Sequence, residues 1–325
     1  METEIKEESN SIRKTVKSTS SNLGKIAALI QDSPYVVLTG SGTSFHAGNI
    51  FQINLSRMGI PALVIRAPEF PYYFSQSSET KPVVFLVSQS GESKDILESL
   101  NISKNFNFKT VGVSNERESS LIRNCDIAMI TDAGKENSVA ATKSFVVQLI
   151  AFTTLYWKMK GKNELENLEE LAKWMENFSE DFERFSKYSR KIRGKVILLG
   201  NGLLNPIAME GALKLKETAN LATESHNIRE YLHGPIQTLD RESTVIILGN
   251  EIEKYPEIMQ KISKHAGNII RIGEGEGSDI VVWRAEEELK PIAYVLPLQI
   301  LSCLKSIELG IDPDRPSKLS KVVDY

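Results

Sequence analysis

The chain is poor in several things. Of its 325 residues two are cysteine and four histidine, and Cys125 and Cys303 lie far apart without CxxC or Cys/His spacing. That pattern supports neither a disulfide framework nor a zinc site, and both thiols are expected to be buried and free in a reducing cytoplasm. Charge of one sign is also lacking. A formal net charge of -3 at pH 7, with Lys and Arg scattered, offers no basic stripe for a phosphate backbone, which argues against a nucleic-acid partner. Long hydrophobic runs are missing too. The most apolar segment, 145–157, is interrupted by Gln148, Thr153 and Thr154 and falls short of the ~18–20 residues that cross a bilayer. It reads as a buried helix, and no membrane association is expected. The first twenty residues, METEIKEESNSIRKTVKSTS, have no apolar centre like that of a signal peptide and carry acids that a transit peptide avoids, so a cytoplasmic location is expected.

With 41% hydrophobic and 25% charged residues, the chain has the material for about two globular domains. A shift of about 160 residues lays "VVLTGSG" (36–42) over "VILLGNG" (196–202) and "PVVFLV" (82–87) over "ESTVIIL" (242–248). "VVQLIAF" (146–152) meets "PLQILSC" (297–303) at a slightly different offset. The halves are outline copies. In the first, β-rich runs at 35–39, 62–65, 83–87, 110–113 and 127–130 alternate with helical stretches; in the second, the runs are 196–199, 244–248, 269–272 and 280–283. The alternation predicts two tandem α/β domains, each a doubly wound parallel sheet of flavodoxin-like type. The expected layout is a helical segment over 1–34, a first domain over 35–160, a connector of one or two amphipathic helices over 161–194, and a second domain over 195–325 that ends in a tail.

Two loops carry candidate chemistry. In "FLVSQSGESKDI" (85–96) an apolar strand breaks into Ser88, Gln89, Ser90, Gly91 and Ser93 before a helix. The start of a helix exposes unpaired N–H groups and roughly half a positive charge, so hydroxyls, an amide and a glycine there suit a phosphate. The first strand ends alike in "TGSGTS" (39–44), with Ser41, Thr43 and Ser44. A dinucleotide fingerprint fails at Phe45 and, in the second copy, at Asn205, and no GxxxxGK[ST] occurs. The counterpart of "SQSGES" in the second copy is "GNEIEK" (249–254), without serine, so one phosphate site per chain is expected. "MEGALKLKET" (209–218) puts Glu210, Lys214 and Glu217 on one helical face, where the ordinary reading is a solvated surface pair. "REYLHGP" (229–235) adds His233 in a loop, where histidine is ordinarily structural.

"GSGTS", "SQSGES", "VAATKSF" (139–145), "EGALKLKE" (210–217), "HGP" (233–235) and "DPDRPSKLSKV" (312–322), in that order, resemble the sugar isomerase (SIS) domain family, most closely the isomerase half of glucosamine-6-phosphate synthase. The resemblance covers nearly all of 35–325. It implies that Ser41, Thr43, Ser44, Ser88, Gln89, Ser90 and Ser93, with Val139 and Ala141, bind a hexose 6-phosphate or amino-sugar phosphate. It gives Glu217 the place of the carboxylate that moves a proton between C1 and C2, His233 that of the ring-opening residue, and Lys321 that of the lysine engaging the open carbonyl. Glu210 and Lys214 then support the site. An aldose–ketose shift of this kind needs an acid/base, a base over C1–C2 and a cation near the enediolate oxygens; no metal and no cofactor are implied. In that family the histidine reaches in from a neighbouring subunit, which implies a homodimer with shared sites.

The departures are also informative. Residue 2 is Glu where the synthase's glutaminase domain exposes a cysteine nucleophile, so the chain is not expected to make ammonia from glutamine. Ala141 replaces serine, Ser93 replaces threonine, and Ser41 stands where the synthase has cysteine. The expected reaction is conversion of glucosamine 6-phosphate to fructose 6-phosphate and ammonia. The alternatives are a fructosamine-6-phosphate deglycase, an ammonia-dependent synthase, or, in another class, a non-catalytic sugar-phosphate sensor.

Overall fold

A computed structural model describes residues 1–75, 79–162 and 164–321. The chain divides into two compact units. The first comprises Glu7–Glu136, Ala141–Ala172 and, from the tail, Ser320 and Lys321; the second comprises Met1–Lys6, Asn137–Ala140 and Lys173–Leu319.

Five strands form the sheet of the first unit: β1 (Val36–Gly40), β2 (Ala62–Arg66), β3 (Val83–Val87), β4 (Lys109–Ser114) and β5 (Ile127–Ile130). Their order is β2-β1-β3-β4-β5 and every pairing is parallel. β1 and β3 are buried along their whole length, as expected of apolar runs covered by helices on both faces. On one face Val37, Val84, Leu86, Phe70, Phe74 and Phe108 pack into a core with Leu100 and Leu121. The apolar stretch that reads as a buried helix is the middle of Lys143–Lys160, which is buried from Lys143 to Trp157. Its Phe152 stacks on Phe51 with ring centroids 4.6 Å apart.

The second unit repeats the plan with β6 (Val196–Leu199), β7 (Thr223–His226), β8 (Thr244–Leu248), β9 (Asn268–Gly273) and β10 (Ile280–Val281), all parallel in the order β10-β9-β8-β6-β7. Read from β7 it is the order of the first sheet. The duplication seen in the sequence is thus a duplicated α/β topology. β7 is a strand that the hydrophobic pattern misses. "TESH" has one fully buried side chain, Thr223, and occupies a sheet edge, where polar residues are tolerated. Gly211, on the Leu204–Ala219 helix, lets that helix approach closely. A Cβ there would stand 2.7 Å from methyls of both Leu198 in β6 and Leu298 in the Lys290–Glu308 helix.

Three other expectations are refined. The helical segment expected over 1–34 is three helices, Glu2–Lys6, Glu8–Thr19 and Leu23–Gln31. The connector expected over 161–194 contains one long helix, Leu165–Glu180, followed by the short turns Glu183–Phe185 and Ser186–Ser189. Cys303 is buried, but Cys125, which follows the short Ser120–Asn124 helix, is only partly so. Among the described residues no helix is long and apolar enough to cross a membrane.

Candidate active site

In the first unit the strand order reverses between β1 and β3, and ligands of such sheets sit at the carboxyl ends of the strands at that point. Both hydroxyl loops leave from there. β1 ends at Gly40, Gly42 turns with φ +52°, and the Thr43–Arg57 helix begins. A Cβ on Gly40 would lie 3.0 Å from Ser44 Cβ and 3.1 Å from the Val87 carbonyl oxygen, so the helix start and the end of β3 are close neighbours.

The corner after β3 is internally tied. Ser88 Oγ accepts the Gly91 N–H at 3.0 Å and lies 3.0 Å from Ser93 Oγ. Ser90 Oγ accepts the Glu92 N–H at 3.2 Å. The Gln89 carbonyl accepts the Asn115 N–H and Ser114 Oγ, each at 3.1 Å, which anchors the loop to the end of β4. Gly91 has φ +66°, and a Cβ on it would collide with the Ser119 side chain. Ser93 is the N-cap of the Lys94–Asn105 helix, yet its side chain makes no capping bond to that helix and turns instead to Ser88. Ser44 Oγ accepts Gln148 Nε2 at 3.0 Å. Ser44 and Ser88 are buried, Ser41 is exposed, and Thr43, Gln89, Ser90 and Ser93 are partly exposed. The same edge of the second unit carries no such cradle. Leu203 and Leu204 stand where the first unit has Thr43 and Ser44, and a Cβ on Gly249 would meet Leu204 at 2.9 Å.

Lys321 is also in the first unit. Its Nζ donates to Glu136 Oε2 at 2.7 Å. Glu136, which no sequence pattern singled out, also accepts the N–H groups of Thr142 (2.9 Å) and Ser144 (3.1 Å) and Ser144 Oγ (2.7 Å) at the start of the Lys143–Lys160 helix. Burial pushes its carboxyl upward, but Lys321 and these donors outweigh burial and hold it below the usual carboxylate range. Ser144 and Gln148 are four residues apart on that helix and share a face, about 6 Å along the axis. The helix therefore carries on one face both the partner of Glu136 and the partner of Ser44. Gln148 was visible in the repeat but not as a site residue. A signal for Glu136 existed in the sequence, as an acid just upstream of "TKSF", where exposed helix N–H groups attract a carboxylate.

In the second unit the Leu204–Ala219 helix aligns Glu210, Lys214 and Glu217 at i, i+4 and i+7. This is no solvated surface pair. Glu210 and Lys214 side chains are 0% exposed and Glu217 is 22% exposed. Lys214 Nζ stands 2.5 Å from Glu217 Oε2 and 3.3 Å from Glu210 Oε1. Burial alone would pull the lysine's pKa down, but the two carboxylates override it and leave the pKa well above the ordinary lysine value. The ammonium is thus locked in its charged form, while the outermost carboxylate keeps contact with solvent. His233 is exposed at the end of the Glu230–Leu232 turn, before Gly234, whose φ is +135°. Val139 donates its N–H to the Asp314 carbonyl at 3.1 Å in the second unit, and Ala141 belongs to the first.

A sequence profile of the SIS domain matches residues 29–158 and 190–281. The chain belongs to the SIS domain family. This SIS chain is 33% identical, over 98% of its length, to the glutamine–fructose-6-phosphate aminotransferase (isomerizing) of Aquifex aeolicus, and covers 57% of that protein. It spans a little over half the length of the curated relatives it matches. Among solved structures, the C-terminal domain of the glucosamine-fructose-6-phosphate aminotransferase of Francisella tularensis is 27% identical with a TM-score of 0.81, and the match covers 96% of each chain. The glucosamine-6-phosphate deaminase of Thermotoga maritima is 25% identical with a TM-score of 0.76, covering 95% of the SIS chain and 99% of the deaminase.

Proposed function

We propose that the chain is an amino-sugar phosphate isomerase that converts glucosamine 6-phosphate and water to fructose 6-phosphate and ammonia. The carrying observation is the fully buried Lys214 ammonium between Glu210 and the part-exposed Glu217. A surface salt bridge contributes little to stability and a buried one is costly to build, so a charge triplet on one helix face is best explained by chemistry that uses it.

In this reading the hydroxyls of Thr43, Ser44, Ser88, Ser90 and Ser93 and the amide of Gln89 take the phosphate, with Ser41, Val139 and Ala141 beside the sugar. His233 opens the ring to the 2-amino aldehyde, acting on a second copy of the chain as the family pattern implies. Glu217 removes the C2 proton to give the enolamine and returns a proton to C1, which leaves a C2 imine. Water adds to the imine carbon, and C–N cleavage releases ammonia and leaves the ketone. Lys214, held charged, aims Glu217, and Glu210 holds the ammonium from the buried side. Lys321 steadies the oxygen of the opened carbonyl end. Similarity to the Thermotoga maritima deaminase along nearly all of both chains supports this direction of reaction.

The test is incubation with glucosamine 6-phosphate and measurement of ammonia and fructose 6-phosphate in equal amounts. Fructosamine 6-phosphate adducts, and fructose 6-phosphate with ammonium, run in parallel. Turnover of an adduct alone would reassign the chain as a deglycase, net synthesis alone would make it an ammonia-dependent synthase, and tight binding without any turnover would make it a sensor.

A further inference from the structure

The two oxygens of Glu136 do different work. Oε1 accepts the Thr142 and Ser144 N–H groups and so serves the helix start. Oε2 accepts Ser144 Oγ and the Lys321 ammonium, 185 residues away along the chain. The Glu136 side chain is 0% exposed, whereas Lys321 is 28% exposed and keeps one side toward solvent. A helix start is electropositive, so an ammonium is not expected to settle there unaided. The carboxylate between them reverses the local field.

We propose that Glu136 is the positioning residue for Lys321, holding the tail ammonium about one helical turn from Gln148 and the Ser44 hydroxyl that Gln148 binds. The lysine is thereby parked at the carbonyl end of a sugar whose phosphate the cradle takes. This rests on the catalytic reading of Lys321 given above. Glu136 itself touches no substrate.

Glutamine at position 136 separates the two duties, because its carbonyl oxygen can still accept the helix N–H groups while its NH2 faces the lysine without charge. Hydrogen exchange of the peptide spanning 318–325 reads the parking without substrate. Glu136→Gln is expected to speed that exchange about tenfold or more, and Lys321→Met, which breaks the same pair from its exposed end, should do the same even if Glu136→Gln folds poorly. With glucosamine 6-phosphate, Glu136→Gln should lower kcat about tenfold with KM changed less than about threefold, and should cost nothing further in a Lys321→Met background. A purely capping role would instead give equal losses in both backgrounds. Unchanged tail exchange in both single variants, or additive losses of kcat, overturns the proposal. If the wild-type protein releases no ammonia, the proposed reaction falls and the exchange result alone decides the role of Glu136.

Discussion

Lys214→Met should be among the most damaging single changes in the second unit. Methionine nearly matches lysine in length and adds no strain, so the cost comes from charge. Glu210, with no exposed surface, loses the ammonium 3.3 Å away and must keep its buried charge without it or take up a proton. Breaking a buried pair from one side costs about 3–5 kcal/mol. For a unit of this size each kcal/mol moves Tm by about 2–4 °C, so a fall of about 6–20 °C is expected in thermal denaturation followed by circular dichroism. The sign with pH is also fixed. Lys214 has a folded pKa above its unfolded one, so its contribution is complete below about pH 10.4 and fades only as pH rises through the folded value. The wild-type contribution is therefore flat from pH 5 to 9. In the variant burial without the ammonium favours the protonated carboxyl, so the loss should deepen as pH rises above about 4.3, by at most about 1.4 kcal/mol per pH unit. Removing both charges, as in Glu210→Leu with Lys214→Met, should recover most of the loss, because a well-packed apolar pair can replace a buried ion pair at little cost. A single variant melting within about 2 °C of wild type, or a double variant worse than the single, would refute the reasoning.

Glu217→Gln should abolish ammonia release while leaving substrate binding, measured by calorimetry, within about threefold, because proton transfer belongs to the chemical step. Ser88→Ala should raise KM about tenfold, more than Ser90→Ala, since Ser88 Oγ also holds the Gly91 N–H and Ser93; steady-state kinetics on the two variants decides the order. Gly91→Ala should lower Tm by several degrees and weaken inorganic phosphate binding, because a β-carbon meets Ser119 in a backbone conformation with φ +66°. Glu136 has a lowered folded pKa, so its contribution is present above about pH 4.3 and lost as pH falls through the folded value. The Tm gap between wild type and Glu136→Gln should accordingly be steady from pH 7 to 5 and close below about pH 4.

The buried strands were easy to read because covered parallel strands are continuous apolar runs; "PVVFLV" and "STVIIL" leave no alternative of similar quality. β7 escaped the hydrophobic pattern, yet the repeat contained it. Ala62–Arg66 shifted by about 160 residues falls on Thr223–His226, but only the first of these two segments is apolar. The hydroxyl-rich corner was legible because its parts are local: strand end, glycine, serine and helix start are consecutive. Burial of Glu210 and Lys214 was not, because it depends on what packs over the helix. Gly211 allows that close approach, and nothing in an i, i+4 Glu–Lys spacing distinguishes a covered face from a wet one. For Glu136 the local signal was present at the helix start, but nothing near it announces the Lys321 ammonium, 185 residues away.

The first unit has its five strands within residues 36–130, but Lys321 joins it only from the far end of the chain. At roughly 5–20 residues per second, a ribosome that has completed Ala172 needs on the order of 7–30 s more to deliver that lysine. On the proposed reading, a nascent chain therefore displays the phosphate cradle well before it carries the group that acts on the carbonyl. A product that stops short of Lys321 then binds sugar phosphate without turning it over.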